Sequence, residues 1–166
     1  MEIQLCRECR YVYHSVSRIQ CPVCSSLRLT LPTSENLVGI CTRLIDRGIE
    51  VVSASCDVHD VYDATGNRQI GKTVQLQIEL GCLYPIEMFE SPPPDWGTYI
   101  YHTIIDNNHI GPAYTGLCHL DSFLKDDDEE LEFATALTIG NLELWLDDKD
   151  VSGFYSVWRL FGANMI

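Results

Sequence analysis

Basic residues, long apolar runs and the common catalytic signatures are all scarce or missing in this sequence, and each absence narrows what the chain does. Eleven Lys and Arg stand against 24 Asp and Glu in 166 residues, a formal net charge of −13. Most of such a surface repels a phosphate backbone. No apolar run approaches the roughly 18 residues of a membrane-spanning helix. The opening MEIQLCRECR lacks the basic-then-apolar layout of a signal peptide. The expectation is a soluble, cytoplasmic protein with no membrane partner. None of G-x-S-x-G, H-E-x-x-H or G-x-G-x-x-G occurs, so no motif announces a hydrolase, a zinc protease or a dinucleotide enzyme. What is present is apolar chain, 46% of residues, enough for one ordinary domain or one domain plus a small metal-held piece.

One signature does occur. GNRQIGKT, residues 66–73, fits the P-loop pattern G-x-x-x-x-G-K-[ST]. A P-loop requires a helix directly after its Lys-Thr, because the loop N–H groups and the helix N-terminus together cradle the phosphates. Here TVQLQIEL follows, with Val74, Leu76, Ile78 and Leu80 alternating against Gln75, Gln77 and Glu79. That period of two is a strand. Gly66 and Gly71 therefore read as turn residues of a long β-hairpin, and the pattern reads as a coincidence.

The eight cysteines are unevenly placed. Cys41, Cys56, Cys82 and Cys118 are scattered and read as small buried hydrophobes. The other four form two C-x-x-C pairs, Cys6 with Cys9 and Cys21 with Cys24, eleven residues apart. Two residues between cysteines let a tight turn aim both sulfurs at one ion, and two such knuckles complete a tetrahedral four-sulfur shell. In a reducing compartment this spacing points to metal before disulfides.

The stretch CRECRYVYHSVSRIQCPVC, within residues 4–26, resembles zinc ribbons and the rubredoxin-like modules of rubrerythrins. The resemblance implies a bound Zn²⁺, or alternatively Fe, held by Cys6, Cys9, Cys21 and Cys24. Those modules usually carry Gly just after each pair, and this chain has Arg10 and Ser25 there instead. The departure argues against tuned redox iron, and the chain also lacks the paired Glu-x-x-His helices of a di-iron bundle. Zinc in a closed structural site is the expected state. Residues 1–32 are net +2 and the remainder net −15, so any nucleic acid would meet Arg7, Arg10, Arg18 and the interleaved Tyr11, Tyr13 and His14. The plainer reading is that the tyrosines cover the site and the arginines are solvated.

Beyond the ribbon, expected to end near residue 26, alternation predicts a strand over 27–31. An apolar face of Leu37, Val38, Ile40, Cys41, Leu44 and Ile45 predicts a helix over 34–47, capped by Thr33 or Ser34 and ended by Gly48. Strands are predicted over about 49–59, 73–80 and 98–105, with a short helical turn at YPIEMFESPPP. DNNHIGPAYTGLC, 106–118, reads as a loop. The order β-α-β-β-(α)-β is that of ferredoxin-like folds, and the body weakly resembles ACT-type regulatory domains. The C-terminal part, about 119–162, is expected to form a helical hairpin. Its first helix, 127–146, carries a stripe of Leu131, Ala134, Thr138, Leu142 and Trp145 widened by Phe133, Leu137 and Leu144. The fold class is α+β, with domains 1–26 and 27–166.

No convincing catalytic residue emerges. His102, Asp106, His109 and the Cys118-His119 pair are the candidates for a second metal site, and Asp57, His59, Asp60 and Asp63 read as a solvated loop. The acidic run DDDEELE, 126–132, reads as helix-start charge facing water. The leading expectation is therefore a non-enzymatic zinc protein whose body senses a small-molecule ligand or binds protein. The alternatives are a nucleic-acid accessory factor, an iron electron-transfer module and a metal-dependent enzyme. A homodimer is expected.

Overall fold

The computed structural model describes residues 1–14, 17–94, 96–119 and 124–149. Among these, the fold is α+β with two antiparallel sheets and two α-helices. The small sheet has the order β2-β1-β3, with β1 Glu2–Leu5, β2 Val12–Tyr13 and β3 Thr33–Ser34. The large sheet comprises β4 Val51–Tyr62, β5 Gln69–Leu80, β6 Trp96–Asp106 and β7 His109–His119, in the order β4-β5-β7-β6. Helix α1 is Val38–Asp46, preceded by a 3₁₀ turn at Glu35–Leu37, and α2 is Asp128–Asp148.

The large sheet is two long hairpins joined at their bases. Pairing between β5 and β7 spans only Gln77–Glu79 against Gly116–Cys118, so the hairpins part towards their tips. This is not the split βαβ order expected from the sequence. Residues 27–31 do not join the large sheet. Leu29 makes a lone bridge with Cys6, and the Leu31 N–H donates to the Val52 carbonyl at 2.8 Å. The alternation of 27–31 is real, but it serves the metal end of the molecule: Leu27 and Leu31 are exposed.

The expected loop at 106–118 is instead strand β7. Gly111, Pro112 and Gly116 disguised it. Among the described residues, Pro112 lies in the half of β7 flanked by β6 alone, beside a register irregularity between His102 and Ile104. A missing N–H is tolerated at such a place. Gly116 is required by contact: a Cβ there would fall 2.3 Å from the Tyr99 ring.

The predicted α1 forms with its expected end. Gly48 adopts φ 78°, its N–H donates to the Ile45 carbonyl, and the Ile49 N–H reaches back to Leu44, both at 3.0 Å. This is a Schellman closure. The expected Ser34 cap does not form; the Ser34 hydroxyl accepts from the Cys56 N–H at 2.9 Å and ties the helix entry to β4.

Helix α2 is capped by Asp127, whose carboxylate accepts from the Glu129 N–H at 2.7 Å. Its buried face is Leu131, Thr135, Ile139, Leu142 and Leu146. The expected stripe is right in part: Leu131 and Leu142 are buried, but Phe133, Leu137 and Leu144 are exposed, whereas Ile139 and Leu146 face the core. The helix carries apolar residues on several sides, so periodicity alone could not select one. The expected second helix of the C-terminal hairpin, with Trp158, lies outside the described residues.

One apolar cluster runs through the molecule. It joins Ile3 and Leu5 of β1 to Leu37, Ile40 and Leu44, to Val51, Leu76, Ile78 and Leu80 of the sheet, and to Leu142 and Leu146 of α2. The Trp96 indole N–H donates to the Thr138 carbonyl at 3.1 Å and fastens α2 to the base of β6. Arg43 of α1 bonds Asp147 of α2 at 2.9 Å. That hydrogen bond, aided by the charges of Arg43 and Arg47, holds the Asp147 carboxyl below its usual value. The resulting stabilisation is complete above the ordinary aspartate value of about 3.9. It is lost as pH falls through the lowered one. Asp147→Asn is therefore expected to flatten the acid limb of the stability–pH curve and leave neutral-pH stability only slightly reduced, as measured by urea denaturation across pH.

Candidate metal centre

The four paired cysteines converge. The sulfurs of Cys6, Cys9, Cys21 and Cys24 all lie within 4.8 Å of one another. Cys6 Sγ stands 3.6 Å from Cys24 Sγ, and Cys9 Sγ 3.6 Å from Cys21 Sγ. A disulfide would require about 2.05 Å. A tetrahedron with metal–sulfur bonds of about 2.3 Å has edges of about 3.8 Å, close to the separations found. The donor set and its geometry thus fit one ion with four thiolate ligands and leave no position for water.

Local backbone geometry builds this arrangement twice. Cys6 directly follows β1, and its carbonyl accepts from the Arg10 N–H at 3.0 Å; the Cys21 carbonyl accepts from the Ser25 N–H at 3.0 Å. The Cys6 N–H then pairs with the Tyr11 carbonyl, and the Cys21 N–H with the Ser26 carbonyl, both at 2.9 Å. Arg10 has φ 64° and Ser25 φ 60°. These are the two places where glycine was missed in the sequence, and both residues take the left-handed conformation that glycine adopts easily. The substitutions alter the cost of the knuckles and leave their shape intact.

Arg10 has a reason to be there. Its guanidinium bonds Asp46 at the end of α1 at 2.9 Å and folds back onto the carbonyls of Arg7 and Glu8. Glycine would forfeit this tie. The Ser25 side chain has no such tie among the described residues. Ser25→Gly is therefore expected to raise the unfolding free energy by about 0.5–1 kcal/mol, from relieved left-handed strain less the extra freedom of the unfolded chain. Denaturant titration of the metal-loaded protein measures it.

The ring of sulfurs is electrostatically primed for a cation. Burial opposes ionisation of Cys21, yet the N–H groups of Cys24 and Val23 outweigh it and bring the thiol down to about 7. The Val23 N–H lies 3.4 Å from that sulfur. At Cys9 the Tyr11 N–H favours the thiolate, but desolvation and the neighbouring sulfurs prevail and push it up to about 12. Without a cation the four groups resist carrying four charges; a divalent ion removes that resistance. Cys6 and Cys21 are buried, while Cys9 and Cys24 are exposed. Of the scattered cysteines, Cys41 is fully buried and its thiol is pushed up to about 12, whereas Cys56, Cys82 and Cys118 are half-buried.

The knuckles are welded to the body. Arg7 bonds Glu50 at 2.5 Å and the Leu29 carbonyl at 3.3 Å. Arg28 pairs with Glu8 at 2.5 Å, and the Thr30 hydroxyl accepts from the Leu5 N–H at 3.0 Å. Arg18 lies over the Tyr13 ring at 5.8 Å, and Tyr13 is buried while Tyr11 is exposed. The basic residues considered for nucleic acid are thus largely turned towards carboxylates and a tyrosine of the same chain.

Among the described residues the other candidates do not gather. His109 bonds Asp106 at 2.8 Å on the exposed tip of the β6–β7 hairpin, and His102 lies on the same arm. His119 is at the opposite end of β7, roughly 33 Å away along the strand, with its ring edge-on to Trp96 at 5.8 Å. Cys118 and His119 are neighbours in a strand and point to opposite faces. Residues 66–73 span the β4–β5 turn and the start of β5, and Lys72 bonds Asp128 at 2.7 Å. No helix follows them. Asp63 stabilises the turn itself, its carboxylate accepting from the Thr65 hydroxyl at 2.7 Å.

Sequence reasoning missed a groove of about 670 Å³ between α2 and the β4–β5 hairpin. Val58, Val74, Leu131 and Ile139 form its apolar wall, and Asn36, Lys72 and Glu132 stand at its margin. Its walls come from segments far apart in the chain, so no local pattern could have marked it. The chain matches no protein-family model, no curated protein and no solved structure. Among the described residues no helix is long and apolar enough to cross a membrane.

Proposed function

We propose that this protein is a non-enzymatic zinc protein in which a single ion, held by Cys6, Cys9, Cys21 and Cys24, fastens a zinc-ribbon end onto an acidic α+β body that binds protein or small-molecule partners in the cytoplasm. One observation carries the metal reading: four sulfurs within 4.8 Å of one another, with two pairs at 3.6 Å, two of the four cysteines buried, and each knuckle closed by the same backbone bonds. A site whose four positions are all filled by thiolate has a structural role, because catalysis at zinc uses an open position for water or substrate.

The dispersion of His102, His109 and His119 favours binding over catalysis. The groove beneath α2 supports the small-molecule reading, since its volume is in the range of ligand pockets and its lining is apolar with a few polar groups. The ion pairs of Arg7, Arg10 and Arg28 count against a nucleic-acid interface on the ribbon.

Elemental analysis of the purified protein tests the reading. One zinc per chain is expected, falling to none in Cys6→Ser/Cys21→Ser. Iron with a visible absorption band replaces zinc with an electron-transfer role. A second metal equivalent revives a catalytic site, and a metal-free native protein overturns the reading altogether.

A further inference from the structure

We propose that the outer edge of β6, together with the exposed isoleucines of the β6–β7 arm, is the surface on which two copies of this chain pair about a two-fold axis. The proposal does not rest on the metal reading. It rests on how differently the two edges of the large sheet are treated.

Strand β4 forms one edge, and that edge is guarded. The Leu31 N–H covers the Val52 carbonyl, and the Ser34 hydroxyl takes the Cys56 N–H. Further along, Asp57 and Asp60 place negative charge on the strand. Covering segments and charges are the usual protections of a sheet edge against pairing with another chain.

Strand β6 forms the other edge and is paired only with β7 among the described residues. It is eleven residues long and contains no Lys, Arg or Pro. From Trp96 to His102 its register with β7 is unbroken, and irregularities begin only beyond that point. Its residues, WGTYIYHTIID, are rich in the aromatic and β-branched types that favour strands. Ile100, Ile104, Ile105 and Ile110 are 64%, 81%, 69% and 73% exposed. Monomers seldom leave so much apolar surface together on one arm.

Charge selects the occupant. Residues 96–119 contain a single formal charge, Asp106, in a chain of net −13, and His109 is bonded to it. Two copies repel one another across their acidic faces. The charge-poor arm is where they approach at least cost. A basic partner would instead be drawn to the acidic start of α2, Asp128–Glu130. An edge strand paired antiparallel with its own copy is self-complementary about a two-fold axis. It lays the tip of each arm along the base of the other, so the tip isoleucines are covered as the strands pair.

Light scattering coupled to size-exclusion chromatography on the full metal-loaded chain tests this. The expected mass is twice the 18.8 kDa of the chain at tens of micromolar. Association is expected to strengthen with added salt, which screens the like charges. Ile100→Lys/Ile104→Lys places charges beside the axis and is expected to weaken dimerisation about a hundredfold. Both positions are exposed, so circular dichroism and metal content should stay unchanged. Asp57→Ala, on the guarded edge, should leave the dimer intact. A chain that remains monomeric at hundreds of micromolar overturns the proposal. So does a dimer indifferent to the two lysines, or one that forms only at low salt.

Discussion

Stripping the metal with a chelator under reducing conditions is expected to erase the native amide signals of the first 30 or so residues and to destabilise the whole chain. Structural zinc contributes an apparent 10–16 kcal/mol to folding in small zinc modules, against a total stability of about 5–15 kcal/mol for a typical domain. Here the metal end is continuous with the core. Ile3 and Leu5 are fully buried in the same cluster as Leu37, Leu76 and Leu142, and the next residue is Cys6 of the four-sulfur cluster. Releasing the knuckles frees β1 to leave its place, and each of its buried side chains is worth about 1.5–3 kcal/mol. A loss of at least about 5 kcal/mol is expected. At roughly 2–4 °C per kcal/mol for a chain of this size, the melting temperature falls by 10 °C or more. Circular dichroism melts with and without chelator, followed by zinc addition, give the measurement. An unchanged amide spectrum in metal-free protein rules out the structural role assigned to the four cysteines.

Leu5→Ala is expected to lower stability by about 2–5 kcal/mol, the range for a leucine truncated at full burial. The residue sits where the metal end and the body meet. Its backbone N–H is bonded to Thr30, its side chain is in the common core, and it adjoins Cys6. The effect should appear as one shifted unfolding transition with metal content still at one ion per chain. Two separate transitions, or a shift below about 1 kcal/mol, mean that the knuckles and the body unfold independently. The variant thereby separates a metal clip that merely sits on the surface from one that completes the core.

The cluster of four cysteines was legible because the chemistry is local. A C-x-x-C pair places two sulfurs within one turn, and residues 66–73 betrayed their strand through the alternation that follows them. The knuckle turns were less legible. Arg10 and Ser25 hid the left-handed positions, which are enforced by bonds to the Cys6 and Cys21 carbonyls. Strand β7 was hidden by Pro112, Gly111 and Gly116, and the reasons for two of them exist only in the assembled sheet: among the described residues β6 alone pairs beside Pro112, and the Tyr99 ring lies against Gly116.

By itself the sequence determined which four cysteines could share one ion, the acidic charge balance, helix α1 with its glycine stop, and the strand character of β4, β5 and β6. Each of these depends on residues within a turn or two of one another, or on simple counting. Only the tertiary structure decided the partners of those strands, the face that α2 buries, the joining of the four-cysteine end to the core, and the place of β6 at an edge of the described sheet. Strand pairing and helix rotation depend on contacts between residues tens of positions apart. Several arrangements bury similar apolar area, and the choice among them falls to packing and backbone hydrogen bonds that no local pattern encodes.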